Sequence, residues 1–371
     1  MASDVIIIGG GVVGLTVARR LALGGRRVRL LERSACGREA SWAGAGILAP
    51  CNPHRTDPLH QLTERSLAMF EGFCAALQDQ TGIDPEYDRL GELTLLLTPE
   101  AVPVAESDAR AGAAMRMPDG SAAYEMISPA ALREMEPAAA PDALGALLCR
   151  STATVRNPRL LAALVAGCRA AGVEVCEGVA VDDLVVEGDR VVGVMAQGER
   201  HRGDCAVVCA GAWSGAIGAR LAEWLPVRPV RGQMVLMHAE PGRLRHVLAR
   251  GKRYLVPRRD GHILAGSTEE PEAGFAKRNT PEGIAAVSEA ALRLAPGLAD
   301  APLLATWAGL RPGTPDGRPY VGPVPALAGL WAATGHFRSG LTLAPVTAEA
   351  LFELLEGRTY DIDLSPLRPG R

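Results

Sequence analysis

Residues 5–8 form a short unbroken apolar run, Val5, Ile6, Ile7 and Ile8, as expected of a strand buried on both faces. Glycines at 9, 10, 11 and 14 come next. Residues 15–23 then put Val17, Leu21 and Gly24 on related turns, which predicts a helix closed by Gly24 and Gly25. Residues 28–31 are a second apolar run with Glu32 at its C-terminal end. The pattern is a β-α-β unit.

Further along, the periodicity predicts a long helix over 58–80 and a strand over 91–97. Residues 99–142 are rich in Ala, Pro and charge, with a short helix near 128–135. Asn157 followed by Pro158 predicts a capped helix start, with the helix running to about 171. Strands over 173–176, 180–186 and 191–195 follow without intervening helices, and the last two read as a hairpin. Residues 204–210 are another apolar strand, and 228–238, 253–257, 262–266 and 330–333 also read as strands. Residues 280–295 are an amphipathic helix, and 341–356 form the last one. Because the β-α-β character recurs at both ends, the expected class is α/β (α+β) with interleaved domains. Segments 1–85, 151–220 and 306–371 would build one domain, and 86–150 with 221–305 the other.

Composition narrows the function. The 371 residues carry 39 basic and 42 acidic side chains, a net charge of −3. That balance does not suit a protein held to nucleic acid by overall charge. No apolar run approaches a membrane span, and the N-terminus lacks a basic, apolar signal. The eight cysteines are scattered, with no Cys-x-x-Cys and no zinc-ligand spacing. The expectation is a cytoplasmic protein with reduced thiols, no membrane and no metal.

Gly9, Gly11 and Gly14 form a dinucleotide fingerprint in its proper context, between a strand and a helix. Gly9 allows the tight turn, Gly11 lets a pyrophosphate approach, and Gly14 lets helix and strand pack closely. Val12 and Val13 open the helix whose N-terminus faces the phosphates. Glu32 can accept from both ribose hydroxyls. The motif does not separate FAD from NAD. Small residues crowd 40–50, where backbone can pack on a flat ligand, or where the chain simply feeds the next helix. Turn formers surround Arg311, whose guanidinium suits bidentate capture of a carboxylate; an arginine in a surface turn is the plainer alternative. Residues 334–342 present a second helix N-terminus at a strand end.

Taken together, these segments resemble the FAD-dependent D-amino-acid oxidase superfamily, and within it the glycine oxidases associated with thiamine biosynthesis. The resemblance rests on 5–14 with Glu32, 40–50, 204–214, 230–235, 253–258, 307–322 and 333–345. It implies a Rossmann-like FAD domain interleaved with an antiparallel-sheet substrate domain. FAD would be bound non-covalently by Gly9, Gly11, Val12, Val13, Gly14, Glu32, Arg33, Ala40, Ser41, Ala45, Gly46, Ile47, Val181, Gly211 and the segment His336, Phe337, Arg338, Ser339, Gly340, Leu341 and Thr342. Val181 matches a residue at the adenine, with Val179 the alternative register. Arg311 matches the carboxylate clamp, Tyr254 an active-site tyrosine beside it, and Arg338 a residue at the flavin and substrate edge. The implied reaction is oxidative deamination of glycine, sarcosine or small D-amino acids. Hydride would pass from Cα to flavin N5, and dioxygen would become hydrogen peroxide. A D-amino-acid, sarcosine or proline oxidase or dehydrogenase is the neighbouring reading, and a non-catalytic FAD-binding subunit is a rival of another class. Lys252 and Glu269 depart from the imidazole or apolar side chains of some relatives, or are solvated surface. The chain could form a homo-oligomer.

Overall fold

The computed structural model describes residues 3–218, 221–325 and 327–371. Two eight-stranded sheets organise it. In the first, Ser3–Ile8 lies between Val28–Glu32 and Glu199–Val208, parallel to both, with Val5 level with Val28 and Cys205. Glu174–Glu177 extends one side and Leu330–Thr334 the other, both parallel, and Tyr320–Pro323 closes the edge antiparallel. The apolar run of the first strand is buried on both faces because helices cover one face and a second apolar cluster the other. The helix Val12–Leu23 packs on this sheet with Pro58–Thr81, Asn157–Ala170 and Gly340–Leu355. The hairpin of Val181–Glu187 and Arg190–Ala196 hangs from Glu199–Val208.

The second sheet runs, edge to edge, Leu303–Gly313, Arg228–His238, His262–Gly266, Arg253–Pro257, Val247–Arg250, Glu92–Leu95, Ala146–Cys149, Tyr124–Ile127. It is antiparallel except where Val247–Arg250 meets Glu92–Leu95. Pro281–Leu294 covers its core face, started by the Thr280 hydroxyl accepting from the Gly283 N–H at 3.1 Å. The strand Leu303–Gly313 pairs along nearly its whole length with Arg228–His238, so the second sheet continues past the boundary expected at 305–306.

Local signals place the long helices well and the irregular region poorly. Asp57 caps Pro58–Thr81, and Gly82 ends it in the left-handed conformation. By contrast, 99–142 holds a helix at Ala101–Ala111 that its composition had not signalled. Asn157 was expected to cap its helix and does not. Its Nδ2 donates instead to the Ser41 carbonyl at 2.6 Å, and the helix starts at Asn157 with no side-chain cap from Arg156 before it. All eight cysteines are free. Among the described residues, no helix is long and apolar enough to cross a membrane.

Candidate active site

One cavity of about 710 Å³ runs from the first helix to the face of the second sheet. Its size lies within the upper part of the range for small-molecule sites, about 300–1,000 Å³. At one end the wall is Gly9, Gly11, Val12, Val13, Glu32, Arg33, Ala40 and Ser41. Gly9 has a φ of +109°, and a Cβ on it would meet the Cys209 carbonyl at 2.6 Å. Gly14 is off the wall: a Cβ there would lie 2.0 Å from the Gly9 carbonyl oxygen, so it lets the helix close on the strand. The helix N-terminus has no side-chain cap at Gly11 and no acidic residue in its first turn, while Ser41 Oγ accepts from the Val12 N–H at 2.9 Å. Such an end attracts an anion.

Glu32 is buried and accepts from the Gly10 N–H at 2.8 Å and the Ser34 N–H at 3.0 Å. The Ser34 hydroxyl also donates to it at 3.2 Å, and a carboxylate has about four lone-pair sites, so capacity for about one more donor remains. Arg33 lies 3.5 Å over the Trp213 ring and pairs with Glu39. Val179 and Val181 both line the cavity, as does Gly211, so both adenine registers border it. The middle is walled by Ala45, Gly46 and Ile47 on one side and by residues 335–342, including His336, Phe337, Ser339, Gly340, Leu341 and Thr342, on the other. Trp307 Nε1 donates to the Ala43 carbonyl at 3.0 Å, tying the small-residue segment to the second sheet. His336 is buried, within 3.2 Å of Thr347 Oγ1, and burial pulls its pKa down to about 4. Asn157 Oδ1 is buried on this wall without a partner.

At the far end are Tyr254, Ser267, Arg311 and Arg338. Arg311 sits level with Val230 on the neighbouring strand, and its guanidinium lies over Gly232, where a Cβ would be 2.2 Å from Nη1. Nη2 donates to Ser267 Oγ at 2.6 Å and Nη1 to the Thr268 carbonyl at 3.2 Å. Glu270 secures this support, accepting from Arg231 Nε at 3.0 Å and from Gln233 Nε2 at 2.8 Å, and bonding to Thr268 Oγ1. Burial pulls the Arg311 pKa below its ordinary value, and the Tyr254 hydroxyl lies beside it. A guanidinium still keeps its proton there. Among the described residues no carboxylate pairs with Arg311. A buried cation without a counter-ion is costly, and a ligand carboxylate would relieve that cost.

The two arginines differ. Arg338 Nε donates to Glu269 Oε2 at 3.0 Å, and Glu269 also binds Lys252, so Lys252 and Glu269 form one ion network with Arg338 at the edge of the site. Sequence patterns did not assign Asn157, Trp213, Met234 or Ser267 to the site, although Asn157 read as a helix cap and Trp213 and Met234 fall in segments that carry the resemblance; all four border the cavity. No local pattern marks any of them as a site residue, and their place on the wall is visible only once the elements around them are placed.

The fold and cavity fit a dinucleotide-binding enzyme whose cavity ends at two arginines. The chain belongs to the family of FAD dependent oxidoreductases, whose family model matches residues 4–354. It is 42% identical to the glycine oxidase of Pseudomonas aeruginosa, covering 100% of this chain and 99% of the relative. The crystal structure of glycine oxidase from Geobacillus kaustophilus superposes with a TM-score of 0.92 at 30% identity, covering 100% of this chain and 99% of that one. Iminodiacetate oxidase from Chelativorans sp. BNC1 superposes with a TM-score of 0.88 at 27% identity, over 98% of each chain. The residues present fit FAD. The helix end lacks a cap from Gly11 itself and has no acidic first-turn residue where it borders the cavity, and the unpartnered Asn157 Oδ1 lies on the wall.

Proposed function

We propose that this chain is an FAD-dependent oxidase of small amino acids, with glycine and sarcosine as preferred substrates and hydrogen peroxide as a product. Half-buried Arg311, without a carboxylate partner among the described residues and facing the same cavity as the dinucleotide cradle, carries this reading. The 42% identity to a glycine oxidase supports it. A role in thiamine biosynthesis accords with the same resemblance. When bound, FAD supplies the acceptor for a hydride from the substrate Cα. Arg311 holds the substrate carboxylate in its guanidinium plane, which Ser267 and Thr268 orient. Tyr254 adds a hydroxyl beside that carboxylate. The amine must be neutral for its lone pair to form the C=N bond, and no general base on carbon is required. The cavity is consistent with this. Its only carboxylates among the described residues, Glu32 and Glu39, lie at the dinucleotide end, and its one imidazole, His336, is buried and neutral.

Gly9, Gly11, Val12, Val13, Glu32, Arg33, Ala40, Ser41, Ala45, Gly46, Ile47, Val181, Gly211 and residues 336–342 are assigned to FAD, with Gly14 as their packing support. The parallel sheet serves as the FAD unit and the antiparallel sheet as the substrate unit. FAD is assigned without a covalent bond; of the two free cysteines on the cavity wall, Cys51 and Cys209, burial raises the pKa of Cys209 and keeps it protonated. The test is oxygen consumption over glycine, sarcosine, D-alanine, D-proline, L-alanine, L-proline and L-leucine. Glycine and sarcosine should lead. Robust turnover of L-leucine with none of glycine would overturn the proposal.

A further inference from the structure

Arg338 borders the substrate end of the cavity and is close enough to Arg311 to act on its charge, yet it carries its own counter-ion. Glu269 Oε2 binds Arg338, and Glu269 Oε1 binds Lys252 from the turn before Arg253–Pro257. Burial by itself would raise the Glu269 pKa, but the Lys252 and Arg338 hydrogen bonds outweigh it and hold the carboxyl below its ordinary value. Glu269 therefore stays charged at neutral pH. Arg253, the remaining cation on this strand, is turned to the Ser267 carbonyl. One cation, Arg311, thus remains open to a substrate anion, while the second is neutralised by the protein.

We infer that Glu269 is a specificity-determining positioning residue: by occupying Arg338 it restricts this enzyme to amino acids with a single carboxylate. The inference rests on the proposed amino-acid oxidase activity and deepens it. A substrate with a second carboxylate would have to displace Glu269 from Arg338 or sit beside its negative charge, and either outcome disfavours binding. Two structural neighbours, a glycine oxidase and an iminodiacetate oxidase, are named for substrates that differ in this respect. Neutralising Glu269 would free Arg338 for the second carboxylate. Oxidation of iminodiacetate would then follow the same course as that of sarcosine. One Cα–H bond breaks, the hydride passes to FAD, and the nitrogen lone pair forms the C=N bond. Water hydrolyses this to glyoxylate and glycine, and dioxygen takes up two electrons and two protons as hydrogen peroxide.

The test compares iminodiacetate with sarcosine, both secondary amines, on FAD-loaded wild type, Glu269→Gln, Glu269→Asp and the double variant Glu269→Gln/Arg338→Ala. Glutamine is isosteric and the position is part-exposed, so folding should be retained. The ratio of kcat/KM for iminodiacetate over sarcosine should rise roughly five- to fiftyfold in Glu269→Gln, mainly through KM. Glu269→Asp keeps the charge and should keep the wild-type ratio, and the double variant should lose the gain. An unchanged ratio in Glu269→Gln, an equal rise in Glu269→Asp, or a gain that survives loss of Arg338 overturns the inference. Binding of iminodiacetate, read anaerobically from the flavin absorption spectrum, separates the two levels. If no variant oxidises glycine or sarcosine, the activity proposal fails. Tighter iminodiacetate binding by Glu269→Gln would still support the inference, and equal binding would overturn it.

Discussion

At the dinucleotide end of the cavity the wall is mostly backbone from residues near one another in sequence, Gly9 to Val13 with Glu32 shortly after. At the substrate end it is made of side chains brought from afar: Tyr254, Ser267, Arg311 and Arg338, carried on strands of the second sheet and on the turn before the last helix. A backbone cradle binds by shape and by N–H groups that every residue supplies, so it demands glycines and little else. A side-chain site binds by charge and direction, so it depends on what each charge already contacts. Arg311 and Arg338 show this, since one is open to a ligand and the other is paired.

If the two ends are separable, Arg311→Ala should show the largest effect. Loss of a buried pairing costs about 3–5 kcal/mol, so kcat/KM should fall by roughly 10²–10⁴. FAD content, read from visible absorption, should stay near wild type. Lysine should rescue only part of the activity, because a point charge cannot hold both oxygens in plane. Near-full activity of Arg311→Ala on every amino acid tried would move the clamp elsewhere.

The segment linking both ends should give a pH signature. His336 has a folded pKa of about 4 against an ordinary 6.5. Between those values the unfolded chain takes up a proton that the folded chain refuses. Stability should therefore fall as pH drops from about 6.5 towards 4, by at most about 3 kcal/mol, and be flat above that window. Melting temperature against pH for wild type and His336→Gln checks this, and the slope should flatten in the variant.

At the cradle, Glu32→Ala should weaken FAD retention, since hydrogen bonds to a charged group contribute about 1.5–3 kcal/mol. Released flavin fluorescence measures it. In protein saturated with FAD, the KM for glycine should change little; a large change would mean that the ends are coupled. The smallest effect belongs to Arg338→Ala. Its partly exposed pairing with Glu269 is worth about 1 kcal/mol or less, so kcat/KM for glycine should drop by about fivefold at most. A drop as large as that of Arg311→Ala would erase the distinction between the two arginines.

The cradle was legible from the chain alone because its determinants are local. A short apolar strand, glycines where a Cβ would clash, and an acid on the next strand all act within about thirty residues. The long helices were legible for the same reason, through caps and periodicity. Tertiary structure decided the rest. Asn157 reads as a cap, but in the fold Ser41 lies within its reach and takes the side chain. The strand Leu303–Gly313 has its first residues exposed, and its partner lies some seventy residues back in the chain, so no local period marks it. Whether a guanidinium is open or neutralised depends on which carboxylate lies across the sheet. Both Arg311 and Arg338 stand among turn formers in the sequence, and only the fold shows that Glu269 pairs with Arg338 while Arg311 is held by Ser267 and Thr268.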